Sequence, residues 1–166
     1  RDKRVIILKN NKNLGAAEAR NKSLSFASGR FYAFIDSDDL WNKYKLEKQS
    51  AFMMKNKAPI CFTSYGVIGE DGCKQDIKID WLVPSKINYH DLLAKKATFG
   101  CSTVMIDSST VGKIKMPSIR TGQDYATWLS LLKKGFTAHS LKEILSFYRI
   151  VPGSISRNKY RKALRQ

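Results

Sequence analysis

Apolar positions along the chain fall into short runs separated by polar punctuation, and the spacing within each run predicts alternating strands and helices. Val5-Ile6-Ile7-Leu8 is a β-branched run ending at Lys9 and Asn10, which reads as a buried strand. Ala16 to Phe26 is rich in helix formers, with Leu14-Gly15 before it and Ser28-Gly29 after it as a stop signal. Phe31-Tyr32-Ala33-Phe34-Ile35 is a second apolar strand running directly into Asp36-Ser37-Asp38-Asp39. Strand, helix and strand in that order predict a right-handed parallel crossover, with the acidic residues at the carboxyl edge of a sheet.

Lys43 to Lys55 reads as an amphipathic helix and Ile60-Cys61-Phe62-Thr63 as a further strand. Beyond it the pattern changes. Val67-Ile68 and Ile77 to Trp81 flank Glu70-Asp71-Gly72, where the Asp-Gly pair signals a hairpin and therefore an antiparallel excursion. Tyr89 to Lys95 predicts a short helix, Thr103 to Ile106 a strand, and Leu145 to Ile150 a last strand. In Asp124 to Lys134, residues Tyr125, Trp128, Leu129 and Leu132 share one helix face at i, i+3, i+4 and i+7, and Gly135 closes the helix.

The 166 residues, 43% of them hydrophobic, suffice for one packed domain, and no repeat or low-complexity stretch divides them. With 30 Lys and Arg against 14 Asp and Glu, the formal charge is +16, which favours polyanionic partners: nucleotide diphosphates, acidic lipid or nucleic acid. Cys61, Cys73 and Cys101 are odd in number and lack metal-site spacing, so neither a disulfide framework nor a zinc site is suggested, and a reducing cytoplasm fits. No apolar run is long enough to span a bilayer.

Three carboxylates within four residues repel one another unless a cation or hydrogen-bond donors compensate. A divalent metal with oxygen ligands is one compensation, since Mg²⁺ takes one or two carboxylates and completes its shell with water and phosphates. A polar turn whose aspartates cap the following helix is the other.

The ordered series Asn13-Leu14-Gly15, Ala19-Arg20-Asn21, Ala27-Ser28-Gly29 and Phe34-Ile35-Asp36-Ser37-Asp38-Asp39 resembles the signature of family-two nucleotide-sugar glycosyltransferases leading into their DXD motif. Lys45-Leu46-Glu47-Lys48-Gln49 is similar to a sub-pattern of bacterial members. Arg120-Thr121-Gly122-Gln123-Asp124-Tyr125 resembles the family's ED-type motif, with Gln123 in place of the usual Glu. The resemblance implies an α/β GT-A fold, a Rossmann-like mixed sheet flanked by helices, and inverting sugar transfer in bacterial surface-polysaccharide synthesis. It places Asp36 near the donor ribose, Mn²⁺ or Mg²⁺ on Asp38 beside the diphosphate, and Arg20 and Asn13 on the donor side. Arg20 is otherwise a helix-surface cation, and Asn13 with Gly15 otherwise shapes the turn into the helix.

Carried over in the same way, Asp124 is the base that takes the acceptor hydroxyl proton; its structural alternative is capping of the helix it opens. Ser102, in Gly100-Cys101-Ser102-Thr103, and Gln123 fall on the acceptor or diphosphate side. Arg149, Ser154 and Ser156 match a segment that closes over the donor and excludes water.

Members of the family normally open with a nucleobase-binding strand and helix, which are expected to be missing from this chain. Residues 1–64 then form the remainder of the donor-binding half, 65–156 the acceptor-side half and 157–166 a basic tail. Weak activity of the chain alone and homo-oligomerisation through exposed sheet edges are the corresponding expectations. The expected partners are a nucleotide-diphosphate sugar and a saccharide or lipid-linked acceptor. The basic tail adds peripheral contact with the inner face of the plasma membrane. A nucleic-acid-binding module would leave the aspartates unexplained, whereas a noncatalytic fragment or interaction module is the alternative that the missing opening segment motivates.

Overall fold

A computed structural model describes residues 2–150. The elements in chain order are α1 (Gly15–Phe26), β1 (Phe31–Ala33), β2 (Leu40–Trp41), α2 (Lys45–Asn56), β3 (Ile60–Ile68), β4 (Lys74–Ile79), β5 (Lys86–Ile87), α3 (Tyr89–Leu93), β6 (Val104–Asp107), α4 (Ser108–Val111), α5 (Gln123–Lys133) and β7 (Ala138–Arg149), with a 3-10 turn at Cys101–Thr103. Seven strands form one mixed sheet whose main path runs β1-β6-β3-β7-β2.

β3 is the axis of the sheet. β7 lies parallel along one edge from Ile60 to Ile68; the other edge is shared by β6, antiparallel to Ile60–Phe62, and β4, antiparallel to Tyr65–Ile68. Its side chains alternate between two buried faces, as a strand covered on both sides requires. Ile60 and Phe62 join Val104, Ile106, Trp128, Leu131 and Leu132 in the larger core. Cys61 and Met105 face Met53 and Ala58 of the α2 region. The result is a helix layer on each side of a sheet.

The expected hairpin is present, with residues 69–73 joining β3 and β4 and Gly72 at φ 83 completing the turn. The α5 helix follows its predicted periodicity. Gly122, at φ 76 in the left-handed region, supplies the entry into α5 that a residue with a Cβ adopts only under strain.

Other expectations need correction. Val5, Ile6 and Ile7 are exposed and form no strand, because no strand among the described residues pairs with them. Among the described residues the predicted parallel crossover is therefore absent, and β1 pairs with β6, antiparallel. β1 stops at Ala33 rather than Ile35, β4 stops at Ile79 rather than Trp81, and the last strand begins at Ala138 rather than Leu145. β2 and β5, two residues each, are outside the expected elements because they are too short for periodicity to register. Ser154, Ser156 and the basic tail lie outside the described residues.

Candidate active site

The chain leaves β1 through buried Phe34, whose ring meets Trp128 of α5 at 5.7 Å between centroids. It then turns through the acidic cluster, closed by Asp39 N–H donating to the Asp36 carbonyl at 3.1 Å. Ser102 ties the two ends of the cluster together. Its hydroxyl accepts from Asp36 N–H at 3.0 Å and donates to Asp39 Oδ2 at 2.6 Å, while Arg149 N–H donates to Asp39 Oδ1 at 3.1 Å. Burial pushes Asp39 up to about 6, opposed by the Ser102 and Arg149 hydrogen bonds and reinforced by the charges of Asp36 and Asp38. Asp39 is thus a buried keystone of the loop, held by donors rather than turned outward.

The three acids therefore have different surroundings. The Asp36 carboxylate pairs with the Arg20 guanidinium. The Asp38 side chain is exposed, and no hydrogen bond or ion pair joins its carboxylate to another described residue. Its main-chain carbonyl accepts from Arg149 Nε at 2.8 Å. Arg149 also donates through Nη1 to the carbonyls of Gly69 at 3.1 Å and Glu70 at 3.0 Å, stapling the acidic loop to the β3–β4 turn. Its guanidinium is committed to main-chain carbonyls.

A buried polar scaffold supports Ser102 from behind. The Ser102 carbonyl accepts from Trp41 Nε1 at 2.7 Å and Ser146 Oγ at 3.0 Å. Gln49 Nε2 donates to the carbonyls of Cys61 at 3.0 Å and Thr103 at 2.9 Å, and Lys45 Nζ donates to Gln49 Oε1 at 2.6 Å. Lys45 Nζ also sits 4.4 Å from the centre of the Trp41 ring. Lys45 and Gln49 are fully buried, and burial pushes the lysine down to about 8.

Asp124 enters from the opposite end of the sequence. Asn21 of α1 holds the segment leading to it: the Asn21 amide donates to the Met116 carbonyl at 2.9 Å and accepts from Met116 N–H at 2.8 Å. Arg20, the preceding residue on α1, lies within electrostatic range of Cys101, Asp36 and Asp124; burial opposes its charge, but these groups raise its pKa overall. The Cys101 thiol is raised chiefly by burial, with Arg20 opposing and Asp36, Asp124 and Asp39 adding to the shift. It is neutral at ordinary pH and unsuited to nucleophilic attack. The acidic loop and the head of α5 thus lie within electrostatic range of the same guanidinium, which pairs with Asp36.

Asn13 Oδ1 accepts from Gly15 N–H at 2.9 Å, shaping the entry to α1. Gln123 is buried, and its Oε1 has no hydrogen-bond partner among the described residues. Trp41, Lys45 and Gln49 are the scaffold residues that motif reading left without a site role. The sequence signal for them is the i, i+4 spacing of Lys45 and Gln49 directly after the acidic cluster.

Among the described residues no three His, Cys, Asp or Glu side chains gather closely enough to form a metal cage of their own. Asp38 nevertheless fits Mg²⁺ or Mn²⁺, because such ions accept a single protein carboxylate and take the rest of their shell from phosphate and water. No helix of the described residues is long and apolar enough to cross a membrane.

Residues 1–110 match the family model described as Glycosyl transferase family 2. A Bacillus subtilis (strain 168) protein named as a teichuronic acid biosynthesis glycosyltransferase, TuaG, is 51% identical over 98% of this chain and 63% of its own length. An Escherichia coli protein, named as the UDP-Glc:alpha-D-GlcNAc-diphosphoundecaprenol beta-1,3-glucosyltransferase WfaP, is 38% identical over 100% of this chain and 64% of its own length. The chain thus spans somewhat under two thirds of the length of these relatives. Among solved structures, Staphylococcus aureus TarS 1-349 aligns with TM-score 0.64 at 17% identity, covering 84% of this chain and 42% of that one. A structure of TarS 1-349 in complex with UDP aligns with TM-score 0.60 at 18% identity, covering 84% of this chain and 41% of that one. The shared architecture is the GT-A fold.

Proposed function

The chain belongs to glycosyl transferase family 2, and from that premise we propose that it carries out inverting transfer of a sugar from a nucleotide-diphosphate donor to a hydroxyl of a lipid-linked saccharide, in bacterial surface-polysaccharide synthesis at the inner face of the plasma membrane. The observation supporting this reading is that Arg20, ion-paired with Asp36, lies within electrostatic range of Asp124, so one cation links the acidic loop to the candidate base.

In this reading Asp124 accepts the acceptor hydroxyl proton as that oxygen attacks the anomeric carbon, and the bond from that carbon to the diphosphate oxygen breaks with inversion. Arg20, oriented by Asp36, lies on the donor side and offsets charge on the departing nucleoside diphosphate. Asp38 would hold Mg²⁺ or Mn²⁺, which when bound neutralises diphosphate charge. Asp39 and Ser102 fix the loop that presents Asp38. They do so without touching substrate in this scheme.

The test uses the chain and a version extended to the length of its curated relatives. Nucleotide-sugar binding is measured by calorimetry with and without Mn²⁺, and transfer is assayed with a saccharide linked to a lipid diphosphate. Asp124→Asn is expected to abolish transfer and preserve donor binding, while Asp38→Ala impairs both. Full metal-dependent transfer by the extended Asp38→Ala variant would refute the metal assignment, and full transfer by Asp124→Asn would refute the base.

A further inference from the structure

The segment between β4 and β5 presents Trp81 and Leu82 to solvent on a pinned backbone. Leu82 is 92% exposed, the highest value among the exposed large hydrophobic side chains of the described residues, and Trp81 is 42% exposed. The loop is fixed at both ends. Asp80, at φ 56, accepts from Thr98 N–H at 2.9 Å, Thr98 Oγ1 at 2.9 Å and Phe99 N–H at 3.1 Å, and its carbonyl accepts from Ser64 Oγ at 2.9 Å. Val83 is buried in the larger core, and the Ser85 carbonyl accepts from Ser140 N–H at 2.9 Å. Two large apolar side chains held outward by this many bonds are not a local collapse waiting to happen.

On the segments that flank the pair, residues 74–99, lysines outnumber acids. Lys78 Nζ stands 5.6 Å from the centre of the Trp81 ring, and Lys86 and Lys95 are exposed on the flanking segments. Of the acids on those segments, Asp80 is consumed by the 98–99 turn and Asp91 pairs with Lys96, which leaves Asp76 on β4. From Asp80 the bonded chain leads through Thr98 and Phe99 to Gly100 and Ser102 of the candidate site, which ties the base of the tip to that site.

We propose that Trp81 and Leu82, with Lys78 beside the indole and the exposed Lys86 and Lys95 on the flanking segments, form the tip by which the protein docks on an anionic lipid bilayer. Leucine enters the boundary of the acyl chains, the indole sits at headgroup depth, and the lysines meet lipid phosphates. A sugar-stacking platform is the less suitable use, because the Lys78 ammonium already occupies a position over the ring. The docking rests on and deepens the reading of a lipid-linked acceptor, since it would hold the protein against the surface that carries it.

The experiment is co-sedimentation of the chain with vesicles of phosphatidylglycerol and phosphatidylcholine, compared with pure phosphatidylcholine, at about 0.1 M and 1 M salt. Wild type is expected to bind the anionic vesicles and to be released at high salt. Trp81→Ser with Leu82→Ser should weaken that partition roughly tenfold, the equivalent of about 1.4 kcal/mol. Leu82 is almost wholly exposed and Trp81 partly covered, so circular dichroism checks that the double variant is folded; as a second readout, the blue shift in tryptophan emission on vesicle addition should vanish in Trp81→Phe. Unchanged binding of the double variant would overturn the proposal in favour of generalised basic adhesion. Equal binding to neutral vesicles would overturn the role of the lysines, and loss of self-association in place of vesicle binding would reassign the tip to a second copy of the chain. No sugar transfer is measured here, so these failures leave the glycosyltransferase reading standing.

Discussion

Replacing Lys45 with methionine tests whether a fully buried ammonium braces the acidic loop. Folding moves this group from water, where its pKa is near 10.5, to a site where burial pushes it down to about 8. Each pH unit of that gap corresponds to about 1.36 kcal/mol, so the charged lysine destabilises the native state by roughly 3 kcal/mol near neutral pH. Between the two pKa values the unfolded chain binds the proton and the native one does not. Wild-type stability from this group therefore rises with pH, beginning near 8 and ending near 10.5.

Methionine keeps the length of the side chain and removes the titration. It also leaves Gln49 Oε1 without its donor, at about 1 to 3 kcal/mol, and removes the ammonium from the Trp41 face, at about 2 kcal/mol for a desolvated pair. These losses offset the relieved charge burial, so the two proteins should have similar stabilities at pH 7. The pH dependence separates them. Urea unfolding at pH 7, 8, 9 and 10 should show the variant losing ground to wild type by about 1.4 kcal/mol per pH unit above pH 8. Cys61, raised by burial to about 12, contributes an opposite slope above its ordinary value in both proteins and largely cancels in the difference. A difference that stays constant across this range would refute the buried-charge account.

Ser102→Ala removes the hydroxyl that joins Asp36 N–H to Asp39; the expected cost is about 1 to 3 kcal/mol in urea unfolding together with weaker donor binding, and a stable variant with unaltered binding would contradict the keystone role. Gly122→Ala forces a Cβ into the left-handed region at φ 76; a loss of about 1 to 2 kcal/mol is expected, read as a lower melting temperature. Asn21→Ala breaks the reciprocal pair with Met116; the chain should lose about 1 to 3 kcal/mol, and hydrogen exchange should rise at residues 116–124 without rising in β3.

The fold was most legible where one side of an element is apolar and the other polar. In α5, Trp128 and Leu132 fall on the core face that their spacing predicts, and β3 and β4 meet across the Asp71-Gly72 turn. Val5-Ile6-Ile7-Leu8 misled because strand propensity measures fitness for a pleated, paired surface. Pairing is a tertiary property, and these residues have no partner strand among those described. The motifs brought Asp36, Asp38 and Asp124 forward as candidates, but three neighbouring acids look alike in sequence. Burial and hydrogen bonding assign Asp39 to the scaffold, while Asp36 meets Arg20 and Asp38 faces solvent.

The least legible part was the scaffold itself. Lys45 and Gln49 look like the solvated side of an amphipathic helix, since lysine and glutamine are seldom buried. Yet Lys45, Gln49 and Met53 lie four residues apart on one stripe, and it is this stripe that α2 turns inward. The polar members sit where the sheet and the 101–103 turn leave the Cys61 and Thr103 carbonyls in need of donors, which Gln49 supplies. Glutamine then needs a donor for its own oxygen, and Lys45 provides it while Trp41 covers the ammonium. Each burial is reasonable only given the next, and the chain of dependence ends at Ser102 and Asp39. Hydrophobic periodicity records single-residue preferences and cannot register that conditional order. The acidic loop therefore owes its shape to polar residues that look dispensable when read one at a time.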